Sequence, residues 1–332
     1  MERGTESQME RTKRQLTLYV AALTRKRPEM LRALLVSLAK MTVPEQCHVK
    51  CLIVENDTVE ASRSVVEECR PSFKSELLYV LEPELGIPFG RNRAAKEAIA
   101  GGADLLLFID DDEVVADDWL VRMIAGYRSS NAVLLGAPLR AKLPTEQLSI
   151  FQRKMFANIE ARYKRKEDRA RTRATLNATN RVTIVTSNWL GELSIFRDHN
   201  IWFDENMRFT GGTDAKFFAE VRKAGLAAGW VADAIVYETV PLDRLSFMYQ
   251  YQRARDQSNT NYGRKPPGAL RTSLTLLQMP HRLAFCLLLF AAVPVTGGKT
   301  LLAAARSLGW VAGKIGCFSG QRSALYFEVT GS

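Results

Sequence analysis

From residue 17 to residue 139, short apolar runs alternate with amphipathic stretches. Residues 17–23, 49–54, 77–81 and 105–109 are apolar runs bounded by charged or turn-forming residues, a pattern that predicts strands buried on both faces. Between the first two, Leu31, Leu34, Leu35, Leu38 and Met41 recur at helical spacing behind Pro28, which suits a first helical turn. Residues 61–69, 93–100 and 114–127 read as further helices, and 132–139 as a fifth strand. Strands alternating with helices imply βαβ units and an α/β fold built on a largely parallel sheet.

Beyond residue 140 the alternation is interrupted. Residues 147–175 form one long, charge-rich helical segment that reads as a solvated face, and 182–186 resemble a strand. Thr213 is a plausible N-cap, Asp214 complements the helix dipole in a first turn, and Phe217, Phe218 and Val221 form an apolar face before Gly225. Residues 228–240 resemble a closing strand or hairpin.

Pro266-Pro267-Gly268 marks a boundary, after which composition changes. Residues 283–293 are apolar but number only eleven, short of the about 20 that span a bilayer. Pro280 and Pro294 flank them. In 299–317, Lys299, Arg306 and Lys314 fall on one side of a helical wheel, with Leu301, Leu308, Val311 and Ile315 roughly opposite. This predicts an interfacial membrane anchor on the cytoplasmic membrane surface. The chain thus divides into a polar tail (1–15), an α/β domain (16–262) and a C-terminal helical, membrane-associated region (268–322).

Three strands end in polar residues: Thr24-Arg25, Glu55-Asn56-Asp57 and Asp110-Asp111-Asp112-Glu113. Parallel strands place these clusters along one edge, where ligands bind in open α/β sheets. Adjacent carboxylates repel one another unless a cation neutralises them. Mg²⁺ and Mn²⁺ prefer such oxygen ligands and share their shell with phosphates.

The net charge of +10 is concentrated in two segments. Residues 153–173 carry nine Lys/Arg against three acids, and 264–322 carry eight against none. A nucleic-acid platform would interleave such cations with aromatics, and 162–173 contains only Tyr163. Nucleic acid is therefore excluded as a partner. The five cysteines lack zinc-site spacing and read as free thiols of a reducing cytoplasm. Residues 1–14 lack the apolar core of a secretory signal, which predicts a cytosolic catalytic body.

In this order the motifs resemble family 2 glycosyltransferases of GT-A (Rossmann-like) fold, most like the bacterial transferases that build succinoglycan-type exopolysaccharides. The resemblance implies that Thr24 and Arg25 contact the donor nucleotide and that Glu55 reads its base. It places Arg91 and Asn92 of Gly90-Arg91-Asn92 beside the donor. It matches the family's DXD motif to Asp110-Asp111-Asp112, with Asp110 and Asp111 at the donor and Asp110 and Asp112 at Mg²⁺ or Mn²⁺. It puts Trp189, Gly211, Gly212 and Thr213 on the acceptor side and makes Asp214 the catalytic base. The implied donor is a UDP-sugar, and the implied acceptor a lipid-linked saccharide or oligosaccharide.

Two departures stand out. Thr213 occupies a position where the family usually has Glu, which leaves room for a catalytically impaired scaffold. Gln250-Tyr-Gln252-Arg253 is at most a remnant of the processive synthases' Gln-x-x-Arg-Trp, which favours single addition. A sugar nucleotidyltransferase is the enzymatic alternative, but Thr24-Arg25-Lys26-Arg27-Pro28 lacks the glycines of its usual loop.

Overall fold

The computed structural model describes residues 14–175, 182, 184–209, 211–263 and 268–319. Its strands are β1 (Leu16–Thr24), β2 (Cys47–Glu55), β3 (Glu76–Leu81), β4 (Leu105–Asp110), β5 (Glu113–Val115), β6 (Leu134–Gly136), β7 (Leu139–Lys142), β8 (Asn188–Glu192), β9 (Ala228–Trp230) and β10 (Val236–Thr239). The main sheet runs β3-β2-β1-β4-β8-β6-β9. Its first four strands are parallel, and β8 enters antiparallel to both β4 and β6. A smaller sheet, β5-β10-β7, flanks it.

The helices are α1 (Pro28–Lys40), α2 (Arg63–Cys69), α3 (Ile87–Ala100), α4 (Trp119–Arg128), α5 (Ile150–Thr175), α6 (Ser194–Arg197), α7 (Thr213–Lys223), α8 (Phe247–Gly263), α9 (Ala269–Val295) and α10 (Leu301–Phe318). Strand alternation divides the core into two layers. Leu18, Val20 and Ala22 of β1 and Leu105, Leu107 and Ile109 of β4 pack in one layer with Leu31 and Leu35 of α1 and Trp119 and Met123 of α4. Tyr19, Ala21, Leu106 and Phe108 belong to the other, with Ala94 and Ala98 of α3 and an aromatic group from β8 to α7. In that group Phe203 stacks on Phe217 at 4.4 Å and Trp189 lies 5.3 Å from Phe108. These contacts press α7 onto the sheet.

Register then builds the functional edge. Thr24 pairs with Glu55 and Leu23 with Asp110, so the polar ends of β1, β2 and β4 coincide.

Several expected elements differ. The stretch read as one helix from 114 to 127 begins as a strand, because residues 113–115 pair with Val236–Glu238, and the helix starts only at Trp119. Residues 132–139 divide between β6 and β7, which belong to different sheets. Helix α3 begins at Ile87 rather than 93, and the N-cap of α7 is Gly212 rather than Thr213. Residues 182 and 184–186 form no strand; the strand starts at Asn188. Residues 1–13 of the expected tail, 264–267 at the boundary, Thr210, and 320–322 of the tail region lie outside the described residues.

The C-terminal region differs most. Pro280 does not end the helix, and α9 runs through both Pro280 and Pro294. Within it, residues 272–295 are predominantly apolar and little buried, so the helix is long and apolar enough to cross a membrane by length and composition. The eleven-residue limit expected above is thereby corrected. The wheel of α10 is also corrected. Leu301 and Val311 are buried, but Ile315 is 56% exposed, and the face against α8 is made of small residues. A Cβ at Gly309 would lie 2.3 Å from the Tyr251 carbonyl, and one at Gly313 would lie 2.1 Å from that of Arg255. Only glycine lets the two backbones meet, as in small-xxx-small helix pairs. Arg306 consequently turns toward the protein, donating to Gln257 Oε1 at 3.0 Å, rather than toward a membrane surface.

Gly313→Leu therefore forces α10 from α8. Overpacking of this kind typically costs about 1–3 kcal/mol. The expected result is a lower melting temperature and faster proteolysis after residue 263. Unchanged melting and proteolysis in this variant would refute the backbone contact.

Candidate active site

The coincident strand ends open into a cleft of about 1210 Å³ lined by Thr24, Arg25, Arg27, Asn56, Arg91, Asp110, Asp111, Asp112, Glu113, Asn188, Gly211, Gly212 and Asp214, among others. That volume exceeds the roughly 300–1,000 Å³ of a typical small-ligand pocket.

The carboxylates after β4 divide by role. Asp111 turns inward, accepting from Thr24 Oγ1 at 2.9 Å and from Arg27 Nη1 at 3.0 Å. Burial pushes its carboxyl up to about 6 against the pull of Arg27. Asp110, Asp112 and Glu113 instead converge, each offering an oxygen within 4.8 Å of the others. Burial, and then the neighbouring Asp112, pushes Asp110 up to about 7, with Arg91 opposing. Burial followed by Asp110 and Asp112 holds Glu113 well above its ordinary range. Three hard oxygen donors, two of them resisting ionisation beside one another, fit a divalent cation of the Mg²⁺ or Mn²⁺ class.

Glu113 is a candidate ligand that sequence reasoning left out, although it is the fourth acid of the run. It also accepts the Asp110 N–H at 2.9 Å. Arg244 was not legible at all. Its guanidinium donates to Asp112 Oδ2 at 3.0 Å and to Glu238 Oε1 at 2.6 Å. Tyr163 caps the second oxygen of Glu238, and Gln250 Nε2 holds the Arg244 carbonyl at 2.8 Å. Burial opposes the Arg244 charge, yet Asp112, Tyr249 and Glu238 together hold its proton more firmly than usual.

Opposite this cluster, Gly211 and Gly212 take consecutive left-handed conformations (φ 72° and 75°). L side chains rarely adopt that backbone. The paired turn starts α7 with Asp214 in its first turn, lining the same cleft. Arg91 links the two sides. Its Nη1 donates to Thr213 Oγ1 at 2.9 Å, while its guanidinium lies 5.3 Å from the Phe203 ring. Thr213 is thus a buried anchor for an arginine.

Three expected site residues lie behind the cleft wall. Glu55 is fully buried, accepting from Ser62 N and Oγ, both at 2.9 Å, and from Tyr79. Its neighbour Asn56 reaches the cleft instead. Asn92 secures the segment before α7 by accepting Phe203 N and donating to Phe203 O. Trp189, expected on the acceptor side, is 1% exposed within the aromatic layer, and Asn188 before it is equally buried, accepting from Trp119 Nε1 at 3.0 Å and donating to the Pro138 and Ala234 carbonyls, both at 2.8 Å.

The family described as glycosyltransferase-like family 2 matches residues 14–259. This chain belongs to that family. Its α/β architecture is the GT-A type implied by the motif order. Among curated proteins it is similar to the succinoglycan biosynthesis protein ExoM of Rhizobium meliloti (strain 1021), with 30% identity over 250 residues, 75% of each chain. Among solved structures, the mannosyltransferase PcManGT from Pyrobaculum calidifontis, in complex with GDP-Man and Mn²⁺, superposes with a TM-score of 0.60. That alignment has 13% identity and covers 94% of this chain and 89% of the other. S. aureus TarS 1-349 in complex with UDP superposes at 0.51 with 15% identity over 92% of each chain. At these identities the two structures speak for the fold alone.

In this glycosyltransferase, the Arg244 network makes a direct prediction. Removing one partner of a buried ion pair typically costs about 3–5 kcal/mol. Arg244→Ala strands Asp112 and Glu238 and should lower the stability measured by urea unfolding in that range. An effect below about 1 kcal/mol would show that Arg244 does not hold the acidic cluster together.

Proposed function

We propose that this chain is an inverting, non-processive transferase that uses Mg²⁺ or Mn²⁺ to move one sugar from a UDP-sugar to a hydroxyl of a lipid-linked saccharide in exopolysaccharide synthesis. The observation that carries this reading is the placement of the Asp110–Asp112–Glu113 cluster and Asp214 in one cleft, on separate elements. The motif order and the similarity to a succinoglycan biosynthesis protein support it, and in the two structural neighbours the fold itself accommodates UDP or GDP-Man.

Breaking the bond between an anomeric carbon and a diphosphate develops positive charge on the sugar and negative charge on the departing group, as in other oxocarbenium-like reactions. A divalent ion at the acidic cluster supplies Lewis-acid stabilisation of that negative charge when bound. Asp110, Asp112 and Glu113 would hold it, and Asp111 keeps their turn in place through Thr24 and Arg27. Arg25 lines the donor side of the cleft, and Arg91 places a guanidinium there for phosphate. Asp214 accepts the acceptor hydroxyl's proton as that oxygen attacks. General-base assistance of this kind typically contributes about 10²–10⁴-fold. Attack from the side opposite the leaving group inverts the anomeric centre.

The long α9 supports placement at the inner face of the cell membrane, as a span or a partly inserted anchor, with the catalytic domain in the cytoplasm. Helix α10 does not present a basic face for an interface, because its Arg306 donates to Gln257.

A screen of nucleotide-sugars for nucleoside diphosphate release, with membrane extract as acceptor, tests the reaction. Release that is absent with every donor would leave an impaired scaffold. Asp112→Asn should remove the Mg²⁺ dependence of UDP affinity in calorimetry. Asp214→Asn should lower turnover by at least 100-fold with donor affinity retained; substantial residual transfer rules out the base assignment. For the membrane, Leu283→Lys with Leu287→Lys should move the protein to the soluble fraction. Lysine at a span centre costs about 2.5–3.5 kcal/mol on insertion scales. An unchanged distribution contradicts an α9 anchor.

A further inference from the structure

The cleft has a second, oppositely charged end. On α5, Arg162, Lys166, Arg169 and Arg173 follow at intervals of four, three and four, which puts them on one helix face over about 16 Å. Lys166, Arg169 and Arg173 line the cleft, as does Arg253 of α8. Arg306 of α10 joins the same group. Burial, and then Arg162 and Arg253, pulls Arg306 below its ordinary value. Burial followed by Arg162, Arg253 and Arg306 brings Lys166 down to about 8. Lys166 itself remains exposed to solvent at the cleft wall.

The nearby acids are already engaged. Glu167 pairs with Arg140 at 2.8 Å and with Arg171, Glu238 with Arg244, and Asp256 with Arg255. Among the described residues, Arg162, Lys166 and Arg306 make no ion pair with a carboxylate. Elsewhere on the molecule, arginines commonly meet an acid, as Arg63 meets Glu60 and Arg70 meets Glu67. Cations gathered in one region repel one another and depress each other's charge, and no ion pair with a carboxylate relieves Arg162, Lys166 or Arg306 among the described residues. An anion bound among them removes that repulsion.

Position indicates which anion. Helix α5 contacts both the turn that bears Arg244 and helix α10, so its cations adjoin the acidic cluster's arginine on one side and the C-terminal helices on the other. Helix α9 meets the same region, with Cys286 against the Ala304 carbonyl, Arg282 5.0 Å from the Trp310 ring and Phe290 5.7 Å from Phe247 of α8. The apolar face of α9 bearing Leu283, Leu287 and Leu288 remains exposed. We infer that the cluster of Arg162, Lys166, Arg253 and Arg306 is a binding subsite for the phosphate or diphosphate that joins the acceptor's saccharide to its lipid. The saccharide then extends along the cleft toward Asp214 and the lipid toward α9. This inference rests on the lipid-linked acceptor proposed above.

Binding to the detergent-solubilised full chain tests it, with farnesyl diphosphate as the probe and UDP with Mg²⁺ measured in parallel. The double variant Arg162→Gln, Lys166→Gln and the single variant Arg306→Gln should each bind farnesyl diphosphate at least tenfold more weakly. Their UDP affinity should stay within twofold of wild type, which also reports a folded catalytic domain. Arg162→Lys, which keeps the charge, should retain farnesyl diphosphate affinity within threefold. Unchanged farnesyl diphosphate binding in the Gln variants overturns the subsite. So does a parallel loss of UDP affinity, which would assign the cluster to the donor. An equal loss of binding to phosphatidylglycerol vesicles also overturns it, because the cluster would then be a general contact for acidic lipid. Wild type that binds farnesyl diphosphate but not UDP removes the donor reading and leaves the subsite standing, whereas the converse removes the subsite alone.

Discussion

Four consecutive carboxylates at the end of a buried strand cannot be packed together without compensating cations, and the active-site region is organised around that constraint. Arg27, just before α1, takes Asp111; Arg244, from the turn after β10, takes Asp112; and Arg91, from α3, opposes the burial of Asp110. Each arginine comes from a different part of the chain. Charge compensation therefore ties the edge of the main sheet to three separate elements of its surroundings. It is also incomplete. Asp110, Asp112 and Glu113 keep enough mutual repulsion to leave a demand for one more positive charge.

The opposite side of the cleft, at the start of α7, is positioned by different forces. Stacking of Phe203 on Phe217 seats α7 on the sheet, and the hydrogen bond from Arg91 to Thr213 fixes its first turn. Thr213 departs from the family's usual Glu, and the geometry supplies a use for the hydroxyl. It receives an arginine whose other face lies over an aromatic ring, so Arg91 is oriented without adding a further carboxylate beside Asp214.

Much of this was legible in the chain's periodicity. Strands β1, β2 and β4 and helix α1 follow from apolar runs and i, i+3, i+4 spacing, and their parallel order follows from alternation. The acidic run and the Gly-Gly pair before Asp214 marked both sides of the cleft. What stayed hidden depends on contacts between distant residues. Val114 and Val115 look helical until residues 236–238 pair with them. Arg244 carries no local signal, because its partners are Asp112 and Glu238. The direction of a side chain at a strand end was also illegible: Trp189 enters the aromatic layer while its neighbour Asn188 bonds to Trp119 on the opposite side, and only the pleat decides which goes where. Pro280 misled in another way, since a proline ordinarily breaks a helix interior. Here the helix continues through it.

The glycine contact between α8 and α10 has a mechanical consequence. Two helices whose backbones touch at Gly309 and Gly313 have no intervening side-chain layer that could shear, so they form a single stiff lever. One arm carries the C-terminal helices. The other carries Gln250, whose amide grips the Arg244 carbonyl, and Arg244 in turn grips Asp112. Any displacement of α10 would have to carry α8 with it, and with α8 the Gln250 amide that holds the arginine on the acidic cluster.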